Sequence, residues 1–278
     1  MKTLPTFRVS LHGHGPDSDG SSSIAELVEA AGRSKIDYFG LADHNTTAGI
    51  PTLYREVASY NRTHDHQIQA VAGVEIHFTD GHVIFSKAGP IDHAFLGWAE
   101  SVAAKRETMS TARAINQAVR RFGAIVTIPH VDAPFAGSMT RTKLSRITQK
   151  LTPAVRSHIA VETKNYATAL FWILTIAREE WLEGFVRDLG LARVGFSDFH
   201  EAWMVKKQVS MFCGVTPTPQ ALTKAIRTRT IGPRYRPSLG LFEWVRLVWT
   251  MVRAHVVYKV KYAGWSLPTL RPAPSLAK

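Results

Sequence analysis

Short apolar, β-rich runs alternate with helical stretches along this chain, and run after run ends on a histidine, an aspartate or a glutamate. Phe7 to Leu11 empties into His12-Gly13-His14 and then Asp19, and IDYFGLADHNT ends at Asp43-His44. IQAVAGVEIHF carries Glu75, Gly81-His82 opens HVIFSKA, GAIVTIPH stops at His130, HIAVETKN reaches Glu162, and ARVGFSDFH ends at Asp198 and His200. Alternating strands and helices are the sequence form of a β/α barrel or a doubly wound sheet. In a barrel, functional side chains come from the C-terminal ends of several strands. So many polar strand ends favour the barrel, because an open twisted sheet would struggle to bring them together.

The intervening helices follow from spacing and caps. IAELVEAAGRS has apolar residues at i, i+3 and i+4 behind Ser22 or Ser23 as cap. Further helices are expected over about 50–63, over one long stretch from Leu96 to Phe122, and from Tyr166 to Leu189. KQVSMF reads as a further strand, and TPQALTKAIRTRT as a helix capped by Thr216 or Thr218. GPRYRP, with two prolines, breaks the regularity and marks the end of the barrel, so residues 1–236 form the barrel domain and 237–278 an extension.

At 278 residues the chain is long enough for one sizeable core. Cys213 is the only cysteine, so no disulfide framework can form within the chain. The opening MKTLPTFRVSLHGHG turns polar too soon for an export signal. The expected compartment is therefore the cytoplasm. Charge is uneven: residues 1–200 hold 21 Lys+Arg against 20 Asp+Glu, and residues 201–278 hold 13 against 2, giving +1 and +11. A basic tail suggests an anionic partner.

Much of that excess lies on LGLFEWVRLVWTMVRAHVVYKVKYAGW, a strongly apolar and aromatic stretch. At 100° per residue, Glu243, Arg246, Thr250, Arg253 and Lys261 share a narrow face opposite Phe242, Trp244, Leu247, Val248, Trp249, Met251, Val252 and Val256. Its charges argue against a membrane span. It fits an interfacial helix that would place residues 239–265 on an anionic membrane surface, at the inner face of a membrane, and equally a helix packed on the barrel or on a partner subunit. The VRAHVVYKV half reads as strand as readily as helix. The tail SLPTLRPAPSLAK is Pro-rich and expected to be disordered.

His12 and His14, two apart on a strand, present both imidazoles to one face. With Asp19, His44, Glu75, His82, His130, Asp198 and His200 they make nine metal-competent groups, too many for one ion and suited to two or three. Such a cluster can hold a bridging hydroxide at neutral pH and act as a Lewis acid on phosphoryl oxygens. Phosphoester hydrolysis is the natural assignment.

The motifs resemble, in order, those of the polymerase and histidinol phosphatase (PHP) family: HGHGPDSDG its H-x-H…S-D-G opening, LADHNT its T-D-H-N-T motif, GVEI its glutamate motif, TIPH its histidine motif and GFSDFH its G-S-D-A-H motif. The resemblance runs from about residue 7 to 232. It implies a distorted seven-stranded β/α barrel with a trinuclear site of Mn, Fe or Zn, whose ligands would be His12, His14, Asp19, His44, Glu75, His82, His130, Asp198 and His200. Glu75 would be the bridging carboxylate, and His77 competes with His82 for its place. Asp43 and His200 are the expected catalytic groups, Asp43 by orienting a ligand. Ser10, Gly15 and Ala42 depart from the family pattern without removing a ligand.

Arg227, Arg229, Arg234 and Arg236 crowd together and are candidates for holding a substrate phosphate. Glu162 resembles a family position near the site floor, fitted to hydrogen-bonding support or metal contact. His64, His66, His93, His158 and His255 follow no strand-end pattern and read as surface or structural residues. The expected function is a metal-dependent phosphoesterase acting on a small phosphorylated substrate. Two alternatives stand beside it: a non-catalytic protein binding membrane or, less favoured, nucleic acid through its basic C-terminus, and a metal-dependent hydrolase of a non-phosphate ester or amide.

Overall fold

The structure, a computed structural model, describes residues 4–133, 137–168, 176–235 and 240–262. Its sheet begins with β1 (Thr6–Ser10), β2 (Tyr38–Gly40) and β3 (Gln69–Phe78), paired in parallel. β4 (Gly81–Ala88) folds back on β3 as a hairpin and runs antiparallel to β5 (Ile125–Ile128). β5, β6 (Ile159–Asn165) and β7 (Ala192–Phe196) are again parallel. On the other flank of β1 lie β8 (Gln208–Cys213) and β9 (Gly232–Tyr235), both antiparallel to their neighbours. The strand order is β7-β6-β5-β4-β3-β2-β1-β8-β9, and β7 returns against β8, where Ser210 Oγ donates to the Gly195 carbonyl at 3.1 Å and accepts from the Gly195 amide at 2.8 Å. The expected barrel architecture is present as a nearly closed sheet, with nine strands in place of seven.

Of the two strands beyond seven, KQVSMF was expected as β8 and the other comes from GPRY, which the prolines had marked as irregular. Pro233 sits on β9, the edge of the strand order, where a missing backbone donor is tolerated.

Helices α1 (Ile24–Arg33) and α2 (Ile50–Thr63) fall where their apolar spacing puts them. Ser23 caps α1, its hydroxyl accepting from the Glu26 amide while the Glu26 carboxylate accepts from the Ser23 amide. The single long helix expected from Leu96 to Phe122 is two, α3 (His93–Ala104) and α4 (Thr111–Phe122), with Ser110 as the N-cap residue of the second. No glycine or proline separates them, so the break carries little composition signal. Two helices follow in the polar stretch before β6: α5 (Arg141–Gln149), capped by Thr140, and α6 (Pro153–Arg156), capped by Thr152. α7 (Ile176–Asp188) covers the second half of the helix expected from Tyr166, whose middle lies outside the described residues. α8 (Pro219–Arg227) carries the Thr218 cap, and α9 (Leu241–Tyr262) is helical throughout, VRAHVVYKV included.

A large apolar core fills the space between helices and sheet, including Leu27, Phe39, Leu53, Phe85, Phe95 and Trp98. A smaller cluster gathers the strand starts, with Phe7, Tyr38, Ile125, Ala160 and Ala192 meeting Leu222 and Ile226 of α8. It plugs the N-terminal end of the barrel and leaves the C-terminal end for the polar side chains. At that end Gly13 forms a parallel bridge with Phe199, and a Cβ on Gly13 would lie 2.3 Å from the Phe199 ring, which stacks on Phe39. Only glycine lets β1 run this close to the end of β7. Gly13→Ala should therefore destabilise the protein by about 1–3 kcal/mol, read as a lower denaturation midpoint.

Candidate metal centre

Every residue of the H-x-H, Asp-His, glutamate, histidine and S-D-F-H motifs comes to the C-terminal end of the barrel, buried. Backbone pairing sets their positions: the His14 amide donates to the Phe199 carbonyl at 2.7 Å, the Ala42 amide to the Gly13 carbonyl at 2.9 Å, and the Glu75 amide to the Asp43 carbonyl at 3.1 Å. His44 and Glu75 form an isolated parallel bridge that extends the β2–β3 ladder. His130 (φ 34°) and Asp198 (φ 52°) lie in the left-handed region, which costs a non-glycine residue of order 1–3 kcal/mol. Strain of this kind persists where the surroundings hold it, and both residues leave their strand ends turned into the cluster.

Glu75 is its centre. Its Oε2 lies 3.2 Å from His12 Nε2, 3.4 Å from His14 Nε2 and 3.4 Å from His44 Nδ1, and its Oε1 lies 2.8 Å from His82 Nδ1 and 3.3 Å from His130 Nε2. Asp198 Oδ1 stands 3.1 Å from His14 Nε2 and 3.2 Å from His12 Nε2. Asp19 Oδ2 stands 3.4 Å from Nε2 of both His44 and His200. Four sets of donor atoms each converge within 4.8 Å: His14, Asp19, His44 and His200; His12, His14 and Asp198; His12, Glu75 and His130; and His44, Glu75 and His77.

The hydrogen bonds behind these side chains select their tautomers. Glu162 Oε1 lies 2.7 Å from His12 Nδ1, so Nδ1–H donates outward and Nε2 keeps its lone pair for the cluster. Glu162 Oε2 accepts from the His130 amide at 3.1 Å and from Asn165 Nδ2 at 2.8 Å, and the same Nδ2 reaches Asp198 Oδ2 at 3.3 Å. His130 Nδ1 meets Ser138 Oγ at 2.8 Å, and His200 Nδ1 donates to the Asp198 carbonyl at 3.0 Å. Glu162 is thus a hydrogen-bonding support. Asn165 had no sequence signal: a bulge between Glu162 and Lys164 breaks the alternation that would otherwise place it.

The electrostatics suit cations. Burial works against the charged forms, yet neighbouring imidazoles hold Asp19, Glu75 and Asp198 well below the usual carboxylate range. Burial, helped by adjacent imidazoles, pushes His14 and His82 down to about 4 and lowers His77 further, so these are neutral donors at pH 7. Burial opposes protonation of His44, but Asp19 and Glu75 outweigh it and raise it to about 9; carboxylates raise His12 and His200 likewise. His14 Nδ1 is buried with no hydrogen-bond partner, an arrangement costly without a ligand. A pit of ionised carboxylates and imidazoles, among them the neutral His14, His77 and His82, with such an orphaned nitrogen fits divalent metal ions.

The nine expected ligands do not take equal places. His82 hydrogen-bonds Glu75 directly and joins none of the four donor sets among the described residues, whereas His77 joins one with His44 and Glu75. The two rings stack with centroids 3.6 Å apart. Asp43 is outside the four sets as well: its Oδ1 accepts from the Gly15 amide at 2.6 Å, tying down the loop that carries His14 and Asp19, and burial pushes it up to about 7. His200, expected as a catalytic group, stands among the donors around Asp19. Among the described residues the arginines do not assemble a clamp. Arg227 lines a cavity with Lys87, Phe122 and Lys224 near the plugged end, Arg229 donates to the carbonyl of Gly190 ahead of β7, Arg234 is exposed on the β9 edge, and Arg236 lies outside the described residues.

α9 lies over the cluster. Tyr258 Oη is 2.5 Å from His77 Nδ1, with its ring centroid 5.1 Å from that of His44, and Lys261 Nζ donates to the Asp17 and Ser18 carbonyls. α9 thus packs on the barrel.

A model of the PHP domain matches residues 10–186, more than half of the chain, and the chain belongs to the PHP domain family. Its fold is shared with a two-domain protein from Bacteroides vulgatus containing a predicted PHP-like metal-dependent phosphoesterase (15% identity, TM-score 0.59, covering 90% of this chain and 71% of that one). It is also shared with PsfC from Pseudomonas syringae (17% identity, TM-score 0.58, covering 91% and 100%) and with the lesion-specific endonuclease PfuEndoQ from Pyrococcus furiosus (10% identity, TM-score 0.50, covering 91% and 72%). None of the curated proteins matches the sequence. The family implies divalent metal ions, consistent with the donor sets above.

Two outcomes follow from this arrangement. Glu162→Gln should weaken metal binding about 10–100-fold, measured by competition with a chelating dye. In the chelator-treated protein, the lowered His14 and His82 contribute stability that is present above the ordinary histidine value of 6.5 and lost as pH falls towards about 4. The raised His44 contributes stability present below 6.5 and lost as pH rises through about 9. Its melting temperature should therefore peak near 6.5, and metal should flatten the profile.

Proposed function

We propose that the protein is a metal-dependent phosphoesterase that hydrolyses a phosphate monoester or diester of a small molecule with two or three Mn, Fe or Zn ions. The observation that carries this reading is the buried Glu75 carboxylate within 3.4 Å of ring nitrogens from five histidines, flanked by Asp19 and Asp198. Groups this close and this far from water suit ions shared between donor sets. Bound there, the ions would supply Lewis acidity toward phosphoryl oxygens and bring the pKa of a coordinated water near neutrality.

What remains falls to the chain itself. Glu162 keeps His12 Nε2 free to coordinate, and the Asp198 carbonyl does the same for His200 Nε2. Asn165 fixes Glu162 and Asp198 relative to one another. The carboxylates, ionised across the neutral range, offset the charge of the ions. Tyr258 and Lys261 reach from α9 onto the same end of the barrel and narrow the approach to it, which favours a small ester over a nucleic-acid duplex.

The test is metal analysis of the purified protein followed by a panel of phosphorylated metabolites with each of Mn, Fe and Zn. Asp198→Ala is expected to reduce kcat by about 100-fold or more. A protein that purifies without transition metal, or whose phosphoesterase activity survives Asp198→Ala, would overturn the reading. Turnover of carboxylic esters or amides alone would keep the metal centre and replace the electrophile.

A further inference from the structure

α9 is amphipathic in an inverted sense. Three of its five stripe-forming polar residues turn inward: Glu243 meets Lys207, Thr250 Oγ1 donates to Glu201 Oε1 at 3.0 Å, and Lys261 reaches the Asp17 and Ser18 carbonyls. The barrel rim supplies these polar partners, so the helix docks through them, with Leu247 and Ala254 buried between. The opposite face is apolar and bare: Phe242 is 92% exposed, Trp249 68%, and Leu241, Val245 and Val252 are exposed beside them. Their spacing of three and four residues makes one stripe along the helix. Exposed apolar surface of this extent, led by two large aromatics, marks an interaction site.

The charge around the stripe selects its occupant. Arg246 and Arg253 are exposed along one flank. The two acids of residues 201–278 are both engaged, Glu243 with Lys207 and Glu201 with Arg246 and Thr250, against 13 Lys+Arg. The 16 residues that follow Tyr262 add Arg271 and Lys278 and no acid. A second copy docked about a two-fold axis would set this cationic helix against itself. An anionic surface complements it. No described helix is long and apolar enough to cross a membrane.

We propose that the outer face of α9 docks onto an anionic lipid bilayer surface, with Phe242 and Trp249 in the headgroup region and Arg253 against the lipid phosphates. Because Tyr258 of the same helix lies on His77, the docked protein carries its metal cluster on the membrane-facing side.

The full chain should co-sediment with vesicles of equal parts phosphatidylcholine and phosphatidylglycerol, bind pure phosphatidylcholine at least about tenfold more weakly, and lose binding as salt rises. The double variant Phe242→Glu, Trp249→Glu should lower binding to the anionic vesicles by about tenfold or more, and Arg253→Glu should lower it less. These side chains are exposed, so far-UV circular dichroism and metal content should stay those of the parent. Equal sedimentation with neutral and anionic vesicles, sedimentation with neither, or an unchanged double variant would overturn the proposal. So would a dimer in solution that the double variant converts to monomer, which would make this face a subunit interface.

Discussion

An ionised carboxylate with no access to water is among the costliest things a protein can bury, several kcal/mol before compensation. Glu75 is buried completely, on a central strand, and its compensation is the ring of imidazoles around both oxygens. Those rings come from four strand ends besides its own neighbourhood: His12 and His14 after β1, His44 after β2, His82 at the start of β4 and His130 after β5. One carboxylate therefore demands that separate strands finish at the same depth and on the same side. The nearly closed barrel meets that demand, since its strand ends converge on an axis.

The demand reaches into the backbone. His130 and Asp198 adopt left-handed conformations, and Gly13 has no Cβ because Phe199 occupies its place. Each is unfavourable or tolerated only locally, and each is explained by where a neighbouring ligand has to point. Burial at the other end of the barrel offsets these costs: Phe7, Tyr38, Phe212 and the α8 residues Leu222 and Ile226 form a plug free of ligands. Stability is concentrated at one end of the strands and chemistry at the other.

Much of this was legible in the sequence because strand ends are local. H-x-H needs only the two-residue period, and the Asp-His, glutamate and Ser-Asp-Phe-His motifs sit where apolar runs stop. Choosing between His77 and His82 needed the hairpin: they are cross-strand partners in the β3–β4 register, so both share a face with Glu75, and spacing cannot rank them. Asn165 was hidden by a bulge. The arginines misled because nearness in sequence was read as nearness to the site, although α8 and the turn after it leave Arg227 and Arg229 at the plugged end. The α3–α4 break and the helices α5 and α6 depended on caps at Ser110, Thr140 and Thr152, weak signals inside polar stretches.

α9 shows why amphipathicity alone cannot orient a helix. The period separates a polar stripe from an apolar one but does not say which meets the protein. For most surface helices the apolar stripe turns inward, since burial of apolar area is the larger gain. Here the barrel rim around the cluster is itself polar, offering the Glu201 carboxylate, the Lys207 ammonium and two loop carbonyls, and unmet partners of that kind are costly to cover with leucine. The helix therefore turns Glu243, Thr250 and Lys261 to the rim. The chemistry that gathers charge at one end of the barrel thus also leaves an aromatic, cationic face looking outward beside it.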